Sequence, residues 1–317
     1  MTAYATQRLL QGLLVLLAVS VVMFGIIHLA PGGPMAMYAS SANADPQQME
    51  RIERQLGVRD PLPTQYVRWF SSMLSGNWGV SYRDGQPVTT VVGERLPATV
   101  LLMGTALLLA LAVAVPLGVL GAVSRRRAVR ALLSLFAIGG MSIPTFWLGL
   151  MILVIFALQL RWIPTGGLSS GEPGAGLLDL LHHVVAPAFV LATLNIAAWS
   201  RYLRGSLLEV LGQDYIRTAR SKGLSSTSVL VRHGLKNALL PLLTLLGLEA
   251  PRLAGGALVT EVVFSWPGIG RLMTQALLTR DYPVLMATFL LMALLVIVGN
   301  LAADLAYGWA DPRIRLD

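Results

Sequence analysis

Residues 97–123 read Pro97-Ala98-Thr99-Val100-Leu101-Leu102-Met103-Gly104-Thr105-Ala106-Leu107-Leu108-Leu109-Ala110-Leu111-Ala112-Val113-Ala114-Val115-Pro116-Leu117-Gly118-Val119-Leu120-Gly121-Ala122-Val123, with no Asp, Glu, Lys or Arg among them. A helix rises about 1.5 Å per residue, so roughly 20 apolar residues cross the ~30 Å hydrocarbon core of a bilayer. The run is continuous rather than alternating, which favours a membrane helix over a barrel strand. Small residues recur at every fourth position, at Ala106, Ala110, Ala114, Gly118 and Ala122. They make a smooth stripe along which another backbone can approach closely, either a helix of this chain or one of a second subunit.

Five further runs of this kind extend outward from it, approximately Leu9–Ala30, Ala131–Leu160, Val184–Tyr202, Leu239–Val259 and Val284–Tyr307. The chain is 55% hydrophobic and 13% charged, with mean hydropathy +0.66, against about 25% charged residues in a soluble domain. The expected class is all-α, a polytopic membrane protein with six transmembrane helices. The first run is too long for the h-region of a secretory signal and no clean cleavage site precedes Pro31, so it is kept as a span. The third run carries Gly139, Gly140 and Pro144, which predict a tilt or a kink. Six spans are few for a secondary transporter built from inverted repeats, and no internal duplication is evident.

Basic residues fix the orientation. Loop 124–130 holds Arg125, Arg126, Arg127 and Arg130 and no acid, and loop 201–238 carries a net +5 from seven cations and two acids. Loop 161–183 sets Arg161 against Glu172 and Asp179, and the long segment 31–96 balances six Arg with six acids. By the positive-inside rule both termini face the cytoplasm. The net charge of +8 is then topogenic, and nucleic acid is not an expected partner. Residues 1–30 form an N-terminal span, residues 31–96 a small extracytoplasmic subdomain, and residues 97–317 the five remaining helices. The 31–96 segment opens with Pro31-Gly32-Gly33-Pro34 and predicts a short helix from Pro46 to Leu56. Its Trp69, Phe70 and Trp78 suit the outer membrane interface.

Covalent chemistry finds little support. The two lysines, Lys222 and Lys236, follow Ser221 and Leu235, so no Gly-Lys-Ser/Thr phosphate loop exists. There are no cysteines and no His-Glu-x-x-His, and the neighbours His182 and His183 point about 100° apart on a helix. Gly167-Leu168-Ser169-Ser170-Gly171 matches G-x-S-x-G, with Asp179 and His182 downstream. A nucleophile elbow needs a strand–turn–helix on an α/β sheet, whereas this match lies in a Gly/Ser/Pro loop. A membrane hydrolase using Ser169 and a stand-alone channel are the competing readings.

Between the fourth and fifth runs the sequence becomes polar and cationic. Tyr215, Ile216 and Ala219 share one side of a short amphipathic helix, Arg217, Arg220 and Lys222 lie more exposed, and the chain turns sharply at Gly223. A second short helix is expected over 226–237. On composition alone such a loop could equally rest on anionic lipid headgroups.

Specific signatures add to this reading. Leu208-Glu209-Val210-Leu211-Gly212-Gln213-Asp214-Tyr215-Ile216-Arg217-Thr218-Ala219-Arg220-Ser221-Lys222-Gly223-Leu224 and Arg232-His233-Gly234-Leu235-Lys236-Asn237-Ala238-Leu239-Leu240-Pro241 resemble the cytoplasmic loop of dipeptide/oligopeptide/nickel ABC importer permeases. Gly76-Asn77-Trp78-Gly79-Val80-Ser81, Ser142-Ile143-Pro144-Thr145-Phe146-Trp147-Leu148-Gly149, Thr260-Glu261-Val262-Val263-Phe264-Ser265-Trp266-Pro267-Gly268-Ile269-Gly270 and Asp311-Pro312-Arg313-Ile314-Arg315 are similar to further signatures of that family. The long first outer loop resembles that of the first-named permease of the pair.

The resemblance implies a type I ABC importer permease fold in the cytoplasmic (inner) membrane, carrying peptides or, alternatively, nickel or another small solute. It implies as partners a second homologous permease subunit (a heterodimer), two ABC ATPase subunits, an extracytoplasmic substrate-binding protein, the peptide substrate and membrane lipid. The chain itself is then no enzyme and binds no cofactor, since ATP and Mg sit on the partner ATPases. The loop 203–238 becomes the coupling element, with Asp214, Tyr215, Arg217, Thr218, Ala219, Arg220, Lys222 and Gly223 as its ATPase-facing residues. Arg217, Thr218 and Ala219 fall where the general importer motif has Glu-Ala-Ala, and Gly223 on its glycine. Arg217 in place of Glu, and Lys236 where a later proline is expected, depart from that motif.

The fifth run is the expected wall of the pathway, with Gly247, Gly255 and Gly256 and an interruption at Pro251. Glu249 and Arg252 are three apart and so share a helix face near mid-membrane. An ionisable group there is costly unless paired or wet. The two either brace a kink as a mutual salt bridge or face the cavity and meet a peptide's termini. Glu261, Phe264, Trp266 and Pro267, in a short helix re-entering from outside over 261–270, are candidates for the outer gate. Asn300 and Asp304 read as helix-packing glue.

Overall fold

The structure is a computed structural model that describes the backbone of residues 2–29, 60–172 and 174–310, with side chains at 6–29, 60–172, 174–239, 241–242 and 255–302. The described residues form helices α1 (Thr2–Leu29), α2 (Leu62–Leu74), α3 (Val88–Val123), α4 (Arg127–Ser142), α5 (Thr145–Ile152), α6 (Leu177–Leu211), α7 (Asp214–Ser221), α8 (Lys236–Val263), α9 (Ile269–Thr279) and α10 (Tyr282–Ala310). Among them no strand occurs, only an isolated antiparallel bridge between Val80 and Pro87. The expected helix over Pro46–Leu56 lies outside the described residues.

Five of the six expected spans each fall on one helix, and the third falls on a broken pair. Thr6–Leu29, Val88–Val123, Leu177–Leu211 and Tyr282–Ala302 are each long and apolar enough to cross a membrane. The fifth expected span is covered by α8, whose backbone runs through Pro251 without the expected interruption. Large apolar side chains such as Leu9, Leu14, Val22, Leu108, Leu135 and Leu178 stand exposed on these helices, as lipid-facing surfaces require.

The third span departs most from expectation. Instead of a kinked rod, α4 and α5 meet at 103°. Ile143, the residue before proline, takes the extended conformation (φ −84°, ψ 123°) that Pro144 forces on its predecessor. The glycines do different work. A Cβ at Gly140 would lie 3.0 Å from the Ala197 Cβ of α6, and one at Gly149 3.1 Å from Val263. Gly140 and Gly149 therefore serve close helix packing, and the break itself falls at the extended pair Ile143 and Pro144. After Ile152 the helix widens into a π-helical stretch, Leu153–Gln159.

By its contacts the chain divides into two units. The first contains, of the described residues, 2–6, 100–172, 174–266 and 296–310. In it the every-fourth stripe of α3 is buried, with Ala106, Ala110 and Ala114 at 0% exposure. A Cβ at Gly118 would sit 2.9 Å from the Ser200 carbonyl of α6. The intramolecular reading of the stripe is therefore the observed one. Ridges four residues apart are what interlocking helices present to each other.

The second unit contains, of the described residues, 7–29, 60–99 and 267–295. Its core gathers Phe24, Ile27, Val88, Val91, Val92, Ile269, Leu272, Tyr282, Leu285 and Met286. Trp69 and Trp78, partly buried, pack against this cluster. Tyr66 Oη and Ser20 Oγ are 2.8 Å apart and His28 Nε2 lies 3.1 Å from Gln65 Oε1, tying α2 to α1. Helix α9 starts at Gly268, which has no side-chain cap. The Thr99 hydroxyl, distant in sequence, accepts from Ile269 N at 2.8 Å in its place.

Candidate functional site

The elbow between α6 and α8 is built by a change of polarity along the chain. Helix α6 ends at Gly212, and α7 begins two residues later, with Asp214 in its first turn and Arg220 in its last. Both charges complement the helix dipole. On α7, Ile216 is 0% and Ala219 6% exposed, packed with Val229 and Leu211. Asp214, Arg217, Thr218, Arg220 and Lys222 all face outward. The expected inner side is corrected at one position: Tyr215 is 42% exposed, and its hydroxyl oxygen accepts from Asn237 Nδ2 at 3.0 Å. An i, i+1 neighbour of Ile216 points about 100° away, which turns Tyr215 off the buried line.

At Gly223 the chain adopts φ +78°. Leu224 N donates to Ala219 O and Gly223 N to Arg220 O, the paired bonds of a Schellman ending with glycine in the left-handed position. Nothing lies within 4 Å of a Cβ placed there, so the glycine is required by the backbone and not by crowding. The Ser225 hydroxyl then accepts from Ser228 N. The expected helix over 226–237 is present, and it leads into the next span without a break. A turn at Ser226–Ser228 widens into a π-helical stretch, Val229–Leu235, that continues straight into α8. Gly234 lies where a Cβ would come within 3.2 Å of Leu211 and 3.3 Å of Leu207. Ser206 Oγ donates to Ala238 O at 3.1 Å. Together with the Leu203, Leu207 and Ala238 core, these contacts tie both ends of the elbow to long helices.

The outer-gate candidates also form a defined turn. The expected short helix over 261–270 is instead the end of α8 and the turn after it, and the short helix is α9. Ser265 has φ +50°, Trp266 N donates to Glu261 O and Ser265 N to Val262 O, again a Schellman ending. Glu261 and Trp266 are 0% and Phe264 2% exposed, and Pro267 is half-buried. Gly167 N donates to Phe264 O at 3.1 Å, and a Cβ at Gly166 would fall 2.4 Å from that oxygen. Among the pathway candidates, Gly255 faces open space and Gly256 abuts Leu191. The side chains of Glu249 and Arg252 lie outside the described residues.

The G-x-S-x-G match forms no triad. Asp179 Oδ2 accepts from Ser170 N at 2.9 Å, and His182 Nε2 lies 2.8 Å from the Trp162 carbonyl. Asp179 Oδ1 approaches His183, not His182, at 3.4 Å. Among the described residues no three metal-ligating side chains cluster.

One site was missed by sequence reasoning. Asp281, 2% exposed, accepts from Ser81 Oγ and from the backbone N–H groups of Tyr82 and Arg83, the latter two at 3.2 and 3.3 Å. It clasps the 81–85 turn. The one available signal was an acid directly before an apolar helical run, which reads as an N-cap and not as a partner 200 positions away.

Comparison with known proteins gives the lineage of this arrangement. Residues 114–316 match the model of the binding-protein-dependent transport system inner membrane component, and residues 1–103 match the N-terminal model of the same membrane component. The chain is 41% identical to the oligopeptide transport system permease protein AppB of Bacillus subtilis, covering 99% of this chain and all of that one. It is 37% identical to the dipeptide transport system permease protein DppB of Alkalihalophilus pseudofirmus, over 99% of this chain and all of the other. It is 36% identical to the glutathione transport system permease protein GsiC of Escherichia coli, over 99% of each. With the matched models spanning nearly the whole length, this chain belongs to the family of binding-protein-dependent transport system inner membrane components.

Proposed function

We propose that this chain is one permease subunit of an ATP-driven importer for short peptides, set in the cytoplasmic membrane with both termini inside. The observation that carries the reading is the elbow, where α7 buries Ile216 and Ala219 against α6 and the π-helical start of α8. That contact leaves an exposed cationic outer face, Arg217, Arg220 and Lys222. A chain without a phosphate loop receives mechanical work only by touching a subunit that has one. A short helix fastened at both ends to long helices transmits such a push as a lever.

In this reading two ATPases hold ATP and Mg, a second, homologous permease completes the pathway, and a binding protein delivers cargo from outside. ATP shifts the pair between inward-open and outward-open states only through its different affinity for the two. The names of the relatives, oligopeptide, dipeptide and glutathione, favour peptide cargo over nickel. The cationic loops 124–130 and 201–238 support the orientation, and the 31–96 segment is the side that meets the binding protein. The buried turn at Glu261, Phe264, Trp266 and Pro267 serves as the outer gate, and the Glu249–Gly256 stretch of α8 as pathway wall.

Reconstitution tests this. Proteoliposomes carrying the assembled transporter take up a labelled tripeptide only with ATP and the binding protein present. Arg220→Glu with Lys222→Glu abolishes uptake while leaving assembly of the permease pair intact. Full uptake by that double variant would exclude the elbow as the coupling element.

A further inference from the structure

Just before the elbow, on its α6 side, lies an open cleft of about 580 Å³ lined by residues of α4, α6 and α8, within the size range of small-ligand sites. Its apolar walls include Met141, Trp199 and Pro241, and its charged groups are Arg201 and Glu209. Neither charge has an ion-pair or hydrogen-bond partner among the described residues. They stand eight positions apart on α6, about 12 Å along the axis. Between them sits Gly205, where an added Cβ would meet nothing within 4 Å, so the floor between the two charges is bare backbone. The Trp199 indole is 1% exposed, and its Nε1–H has no acceptor among the described residues, which is uncommon for a buried donor.

Two opposite charges rooted about 12 Å apart along the helix axis, with an apolar and glycine-floored gap between their backbone positions, suit a zwitterion of comparable length. An extended peptide spans about 3.3–3.6 Å per residue, so three or four residues bridge the gap. A lipid headgroup fits less well, because Glu209 repels the anionic phosphate that Arg201 would attract. We infer that this cleft is the inner subsite through which a tri- or tetrapeptide leaves, Arg201 holding its carboxylate, Glu209 its ammonium group, and Gly205 giving its backbone room. The assignment rests on the peptide-permease reading above and adds the length and charge pattern of the cargo at one place on its route.

The chain has no cysteine, so Gly205→Cys gives it a single thiol at a position with open space. In the assembled transporter, reconstituted with partner thiols blocked, the rate of maleimide labelling of that thiol is followed without ATP. Tetra-alanine at millimolar concentration inside the vesicles is expected to slow labelling about fivefold, a change equal to roughly 1 kcal/mol in all. N-acetyl-tetra-alanine amide is expected to leave the rate unchanged. Arg201→Gln or Glu209→Gln in the same background removes the protection. Equal labelling with and without tetra-alanine, in a complex that still imports peptide, would overturn the subsite and leave the permease reading standing. A thiol unreactive in the empty complex, covered by a partner subunit, would overturn it as well. Absence of ATP-dependent peptide uptake by the cysteine-free parent would reject both.

Discussion

The elbow at α7 and the clasp at Asp281 each fasten a short polar segment onto apolar helices, and they do so by opposite means. At the elbow, Ile216 and Ala219 go inward and every ionisable group of α7 goes out. At the clasp, the polar groups go inward, with Ser81 and the N–H groups of Tyr82 and Arg83 converging on one buried carboxylate. Directional bonds to a single acceptor fix the register of a loop, and their loss strands several donors at once. Aliphatic contact fixes position while leaving the polar face unused by folding, free to be read by another protein. The first arrangement suits a lever that a partner must grip, the second a loop that must keep one shape.

The contrast predicts a ranking of substitutions. Asp281→Ala should be the most damaging, because three donors lose their acceptor, at about 4 kcal/mol. Thermal unfolding of the detergent-solubilised chain measures it, and a loss below that of the next variant would break the comparison. Ile216→Ala follows at about 3 kcal/mol. Its damage should be local, with hydrogen exchange accelerated over 214–224 and unchanged over 76–87. Gly223→Ala comes third, at about 1 kcal/mol, from placing a side chain in the left-handed region with no clash to add. Smallest in stability is the triple change Arg217→Ala, Arg220→Ala and Lys222→Ala, which should leave the melting temperature unmoved and yet stop uptake. A triple variant that unfolds early would mean that the outer face takes part in folding and would erase the distinction.

How much of this was legible in the sequence follows the range of the interactions. The every-fourth stripe of α3, the turn at Gly223 and the solvated cations of α7 depend on periodicity and local backbone, and the structure has them where the sequence puts them. Pro144 announced a bend but not its 103°, because the angle is set by how α4 and α5 pack elsewhere. The π-helical stretches 153–159 and 229–235 carry no local signature. At 229–235 the extra residue per turn accompanies the close fit of Gly234 against Leu207 and Leu211. Nothing local at Trp69 and Trp78 announces the cluster around Phe24 and Tyr282 that they pack against. The Asp281 clasp and the Thr99 cap of α9 join residues 170 to 200 positions apart, beyond any motif.

The central claim is that the outer face of α7 is gripped by a nucleotide-hydrolysing neighbour. It is tested most directly by Thr218→Cys, the sole thiol in a chain that has none, carrying a short photo-activated cross-linker in the assembled transporter. The account predicts a cross-linked product with an ATPase subunit, in a yield that changes when ATP is bound. A product with the substrate-binding protein, or none with any ATPase in a complex that still transports, would contradict it.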